Sequence, residues 1–214
     1  GPGGHAAEEA FSKYIAGGFN HAIFGAEMMD KKHNLCDLTL DGIRNHSWSL
    51  NTPMSCEGEI VAWADRIAYV CHDYEDATRK NIISKFDLPK SKSLSSFLQL
   101  NRTKQITCFI QDLVETTIEN ETISMSLEMG ETLSEFRKYN HEHIYNTRES
   151  KTQNEFIINM LDSLIEYYSD HFDQIPAKFI ESNYETEETK LKVIISYLAG
   201  MTDTYAIEQA KKYI

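Results

Sequence analysis

The chain has 214 residues, 41% of them hydrophobic and 25% charged, enough for one globular domain or one domain with an appendage. Its 21 Lys and Arg against 33 Asp and Glu leave a formal net charge of −12, which excludes a broad basic footprint, so nucleic acid is not the expected partner. Cys36, Cys56, Cys71 and Cys108 are scattered with no CxxC pair, which points to reduced, buried thiols, and no apolar run approaches the roughly 20 residues that span a bilayer. With no basic-then-apolar leader, the expectation is a soluble, cytoplasmic protein with no membrane partner.

Only four prolines interrupt the chain, and Ile, Leu, Met and Ala recur at spacings of three and four, which predicts an all-α protein. Residues 1–4 are expected to turn into a short helix over 6–15, which Gly17-Gly18 breaks. A helix over 20–32 and a short one over 37–46 follow, then a loop over 47–54 around Asn51-Thr52-Pro53. The next helix, 55–80, is entered through Ser55 with Glu57 and Glu59 in its first turn, where carboxylates favour the helix dipole. Residues 90–96, rich in Ser and Lys, read as an exposed loop. Further helices are expected over 103–119, 131–145, 153–172 and 187–199, with Gly200 ending the last. Thr202 or Asp203 would cap a final helix to 214.

The helix over 55–80 is the informative one. Ile60, Val61, Ala64, Ile67, Ala68 and Cys71 are expected to form its apolar stripe. Asp65, Tyr69, His72, Asp73 and Asp76 recur at offsets of three and four and form an adjoining stripe. Three carboxylates, an imidazole and a phenol on a half-buried face would suit a cation or a hydroxyl-rich ligand; by spacing alone a solvated acidic face accounts for them at least as well.

The segment Ala64-Asp65-Arg66-Ile67-Ala68-Tyr69-Val70-Cys71-His72-Asp73-Tyr74-Glu75-Asp76-Ala77 resembles the AD-x-IAY-x-x-HD-x-(D/E)DA motif of the HD-superfamily deoxynucleoside triphosphate triphosphohydrolases, the dGTPase-like family. Four other segments resemble the family in its own order. Gly1-Pro2-Gly3-Gly4-His5-Ala6-Ala7-Glu8-Glu9 is similar to the GH(A/G)xE element, and Gly17-Gly18-Phe19-Asn20-His21 to GGFxH. Leu38 to Ile43 with His46 looks like LT-x-x-x-(D/E)GI-x-x-H, and Tyr197-Leu198-Ala199-Gly200-Met201-Thr202-Asp203 like YIAGMTD.

The resemblance implies an HD-domain-type helical bundle with additional C-terminal helices: the C-terminal part of the catalytic core over 1–86, and a helical region packed on it over 87–214. It implies a metal-dependent hydrolase that splits a dNTP, with dGTP a candidate, into deoxynucleoside and tripolyphosphate. His5 and Glu8 would be the catalytic His and its acidic partner, His21 would contact phosphates, and Tyr69 and Asp73 would meet the sugar and its 3′-hydroxyl. Asp65 would be one ligand of a divalent metal ion, Mg, Mn or another transition metal. The family's other ligands, a His and the HD dyad, lie upstream of the GPGGH element, where this chain begins, so the chain alone is expected to be inactive. His72, Asp76, Arg66 and His46 are expected in supporting roles, and His33, His141, His143 and His171 at the surface. By analogy the protein would be a homo-oligomer, with a nucleotide effector as a further partner.

In one place the pattern departs. The family continues GGFxHNxQSLR, whereas His21-Ala22-Ile23-Phe24-Gly25-Ala26-Glu27 puts an acidic residue where a basic one often lies. That gives some weight to a second reading, a catalytically inactive nucleotide-sensing module, against which the retained His5 and Glu8 count. A third, an HD phosphohydrolase acting on nucleoside monophosphates or cyclic nucleotides, is opposed by the segment 197–203.

Overall fold

The computed structural model describes residues 2–48, 50–84, 88–180 and 185–214. Gly1 of the expected opening turn, and the border at 86/87 between the two expected segments, lie outside these residues. Among the described residues the chain forms α-helices and no strand, the all-α class that periodicity predicts. The helices are α1 (His5–Ser12), α2 (His21–Lys32), α3 (Asp37–Asn45), α4 (Cys56–Arg79), α5 (Lys92–Leu98), α6 (Arg102–Asn120), α7 (Leu127–Asn140), α8 (Arg148–Asp170), α9 (Glu187–Ala199) and α10 (Asp203–Tyr213). They fall into two compact units, Gly1–His21 with Lys151–Ile214, and Ala22–Ser150.

The first unit joins the two ends of the chain. Leu161, Leu164, Ile165 and Tyr168 of α8 make one helical stripe, and pack with Ala7, Ala10 and Phe11 of α1 and Val193, Ile194, Ile195 and Leu198 of α9. The N–H of Gly3 donates to Oδ1 of Asp203 at 2.8 Å, tying the opening turn to the start of α10. Gly3 has φ +78°, and a Cβ there would lie 2.5 Å from Cγ2 of Ile157, so both conformation and space demand glycine. Helix α1 stops at Ser12, short of the expected residue 15. The Ser12 hydroxyl accepts from the Phe19 N–H at 2.9 Å and donates to its carbonyl at 3.3 Å, folding the chain back through Gly17 and Gly18, both at positive φ. Thr186 and Thr189 form a capping box on α9, and the Thr202 hydroxyl caps α10 by accepting from the Tyr205 N–H.

The second unit is built on α4, capped as expected by the Ser55 side chain. Its buried stripe is Gly58, Ala62, Ile67, Val70, Cys71, Tyr74 and Ala77, which keeps Ile67 and Cys71 of the expected one and corrects the rest. Ile60, Val61, Ala64 and Ala68 are exposed, because α5, α6 and α7 supply Leu94, Phe97, Phe109, Leu133 and Phe136 to the side that carries Val70 and Tyr74. Helix α3 crosses α4 where two glycines meet. A Cβ on Gly58 would stand 3.1 Å from the Gly42 Cα and 2.8 Å from Pro53, so the approach needs both to lack side chains.

Two further expectations are corrected. The Ser/Lys-rich stretch expected as a loop is the helix α5: Ser91 caps it, and Leu94, Phe97 and Leu98 are buried, so its polar residues are the outer face of an amphipathic turn. Helix α7 starts at Leu127 rather than 131, because the Ser126 hydroxyl accepts from the Met129 N–H while both its own groups donate to Asp112. Beyond Asn140 the helix widens into one π-helical stretch, His141–Tyr145. Asn140, wholly buried, anchors this point by donating from Nδ2 to the Val70 carbonyl at 2.9 Å. Of the cysteines, Cys71 is buried, whereas Cys36 and Cys56 are exposed because they stand at the first turns of α3 and α4.

Candidate active-site residues

In the first unit, Glu8 of α1 gathers two imidazoles. Its Oε2 lies 3.1 Å from Nδ1 of His5, one turn earlier, and its Oε1 lies 2.8 Å from Nδ1 of His21. The backbone N–H of His21 donates to the same Oε1 at 2.8 Å, so Glu8 also satisfies an open donor at the start of α2. The GG turn is what brings His21 back onto α1. Burial raises the Glu8 carboxyl, but hydrogen bonds from the His21 backbone, the His21 ring and the His5 ring outweigh it and hold it below the ordinary carboxylate range. A carboxylate on Nδ1 sets that nitrogen as the protonated one and makes Nε2 the edge that exchanges a proton with a reactant.

In the second unit, α4 presents Tyr69 and Asp73 one turn apart, both half-buried. The hydroxyl of Tyr145, from the π-helical turn, donates to Oδ2 of Asp73, and the Tyr145 ring stacks on Tyr69 with centroids 5.8 Å apart and 19° between planes. Burial raises the Tyr145 phenol, and its bond to Asp73 raises it further, so it stays a donor. Phenol, carboxylate and phenol thus form one polar, flat-walled corner.

Asp65, His72 and Asp76 are exposed, which corrects the expected half-buried acidic face. His72 and Glu75 are approached by Arg102, at 3.4 and 2.5 Å, a supporting arrangement. Asp65 does not meet a metal-ligand set: among the described residues no group of three or more His, Cys, Asp or Glu is placed to hold an ion, and one carboxylate does not retain a divalent cation. The segment 38–46 is held by local hydrogen bonds. Asp41 accepts from Asn45 Nδ2 at 2.7 Å and from the Met54 N–H at 2.6 Å, and Nδ1 of His46 lies 2.7 Å from the Ile43 carbonyl. An apolar cavity of about 520 Å³ between α3 and α4, lined by Leu38, Ile43 and Val61 among others, includes none of the predicted catalytic or substrate residues. In segment 197–203, Leu198 and Met201 are buried, Thr202 caps α10 and Asp203 accepts from the Gly3 N–H.

Sequence reasoning missed Tyr145, in a stretch that reads only as helix, because nothing in its spacing relates it to α4. It also missed a cluster beside Asp65. The Arg66 guanidinium lies over the rings of Trp48 and Trp63, at 5.2 and 5.1 Å, and Arg137 lies over Trp48 at 4.5 Å.

Residues 123–212 match the phosphohydrolase-associated domain. The chain is 32% identical to the deoxyguanosinetriphosphate triphosphohydrolase-like protein of Caldanaerobacter subterraneus subsp. tengcongensis, over 99% of this chain and 62% of that protein. It is 31% identical to the protein of the same description from Clostridium perfringens, over 97% of this chain and 64% of the relative. The chain is similar to proteins of this description over nearly its whole length. It spans rather less than two thirds of the length of these curated relatives. Among the described residues no helix is long and apolar enough to cross a membrane.

Proposed function

We propose that the protein, at its full natural length, hydrolyses a deoxynucleoside triphosphate to deoxynucleoside and tripolyphosphate, with dGTP the first substrate to test. The observation that carries this reading is the double engagement of Glu8, which holds Nδ1 of both His5 and His21 and so orients two imidazoles from one carboxylate. In this reading His5 moves the proton at the reacting phosphate and His21 contacts the phosphate chain. Tyr69 and Asp73, with Tyr145, receive the deoxyribose: a carboxylate is a pure acceptor suited to a 3′-hydroxyl, and the paired rings offer a flat wall to the sugar.

Asp65 is proposed as one ligand of a divalent ion; the described residues cannot complete that set, and the reading assigns the ion no step through them. The names of the relatives that this chain is similar to support the substrate class. The assignment of 1–86 to a catalytic core and 87–214 to a C-terminal region, the homo-oligomeric state, a nucleotide effector and a cytoplasmic location belong to the same proposal.

Incubation with dGTP and separation of the products tests it. Deoxyguanosine with tripolyphosphate is the expected pair; release of pyrophosphate or of single phosphates would overturn it.

A further inference from the structure

Helix α7 does not run into Tyr145 with ordinary winding. It widens after Asn140, and the Asn146 N–H donates to the His141 carbonyl, five residues back, at 2.9 Å. On an α-helix, at about 100° per residue, Asn140 and Tyr145 would face directions about 140° apart. The wider winding, closed by bonds to the fifth residue, swings positions five apart toward one face. Both side chains then reach α4. Nδ2 of Asn140 donates to the Val70 carbonyl at 2.9 Å, and the Tyr145 hydroxyl donates to Asp73, three residues further along the same helix.

Two features set Asn140 apart from a packing residue. It is wholly buried, and its Oδ1 has no donor among the described residues. A buried polar atom left unpaired is costly, so an apolar side chain of the same branched shape would serve packing better. The Nδ2 bond is not needed to satisfy Val70 either, because that carbonyl lies inside α4, where an intrahelical donor is in place by position. What the bond does is fix the start of the wide turn against α4. At the far end the hydroxyls of Ser150 and Thr147 donate to the Ile144 carbonyl, at 2.6 and 3.3 Å, so the turn is held at both ends.

We propose that Asn140 is a positioning residue for the proposed reaction: by pinning the wide turn to Val70 it keeps Tyr145 bonded to Asp73 and stacked on Tyr69, and so sets the seat of the deoxyribose. The inference deepens the proposed function and rests on it for the identity of the sugar. Without the Asn140 bond the helix would close into ordinary α winding, which carries the Tyr145 hydroxyl off Asp73 and its ring off Tyr69.

Asn140→Leu keeps the branched shape and removes the donor. In the full-length protein it should speed amide hydrogen exchange across residues 141–146 by about tenfold or more, while the melting temperature and the exchange of α4 hold. Unchanged exchange there would overturn the proposal whether or not the protein hydrolyses a dNTP, so this arm stands apart from the hydrolytic reading. With dGTP, kcat/KM should fall about tenfold, and in a Tyr145→Ala background the same substitution should change it by less than about twofold. Full additivity of the two would sink the claim that Asn140 acts through Tyr145, as would a melting temperature that falls in step with activity. Asn140→Ala, which removes the donor without adding volume, carries the same expectations if the Leu variant does not fold. Faster exchange across 141–146 in a protein that fails to hydrolyse dGTP would support the anchoring of Tyr145 and overturn only the reaction it serves.

Discussion

The hydroxyl of Tyr145 donates a hydrogen bond to Oδ2 of Asp73, across 72 positions in the sequence. One oxygen of the carboxylate proposed for the sugar is therefore engaged within the protein, and the bond fixes where the other can point. A hydrogen bond to a charged group contributes about 1.5 to 3 kcal/mol, so Asp73→Ala should cost roughly ten- to over a hundredfold in kcat/KM for a dNTP. With a 2′,3′-dideoxynucleotide the loss should be far smaller, since the bonded hydroxyl is already missing. Tyr145→Phe leaves the acceptor but frees its orientation, and should cost about tenfold or less. Equal impairment of natural and dideoxy substrates by Asp73→Ala would mean that Asp73 supports the fold instead.

The pH dependence of stability should reveal Glu8. Its carboxyl is held below the usual range, so its contribution is fully present above the unfolded value, near 4.3 for a free Glu, and is lost as pH falls through the lower folded value. Glu8→Gln should therefore be less stable than wild type, by about 1 to 2 kcal/mol at neutral pH, with the gap closing as the solution is taken below about pH 4. Urea unfolding at a series of pH values measures it; a gap that stays constant down to strongly acidic pH would show that the His5 and His21 contacts do not depend on the charge.

The thiols should separate by environment. Hydrogen bonds from Thr39 lower the Cys36 thiol, which is exposed, whereas burial pushes the Cys71 thiol up to about 12. Limited alkylation with iodoacetamide followed by peptide mapping should label Cys36 first and Cys71 last. Early labelling at Cys71 would show that the core around Val70 and Phe136 opens readily.

Much of this architecture is legible in the sequence, and the exceptions share a cause. Spacing locates α2, α3, α4, α6 and α9, and Ser55 and Thr202 act as the caps their positions suggest. The stretch at 90–96 misleads because a seven-residue helix with one buried face carries too few apolar positions to show a period. The apolar stripe of α4 misleads because Ile60 and Val61 continue the pattern along a face that the packing helices do not cover. Of the candidate site, the His5–Glu8 pair is visible at i and i+3, whereas the joining of His21 to Glu8 depends on a glycine turn. Tyr145 and the Trp48–Arg66–Trp63 cluster depend on which helices meet, and periodicity carries no such information.

Gly3 offers a test of the first unit alone. Replacement by Ala adds a Cβ 2.5 Å from Ile157 at a φ of +78°, so Gly3→Ala should destabilise by about 1 to 3 kcal/mol. Thermal unfolding should show the loss, and Asp203→Ala, which removes the acceptor of the Gly3 N–H, should cost about 1 to 2 kcal/mol. Unchanged melting in both would place the opening turn outside the cooperative unit.

The central claim is that a carboxylate-oriented imidazole pair serves hydrolysis of a dNTP at the bond that releases intact tripolyphosphate. Phosphorus NMR of the full-length protein turning over dGTP, beside its His5→Ala variant, tests it most directly. Tripolyphosphate should accumulate with wild type and be reduced by about a hundredfold or more in rate with the variant, while metal content measured on the same samples stays equal. Pyrophosphate or orthophosphate as the wild-type product, or a variant that turns over at the wild-type rate, would contradict the account.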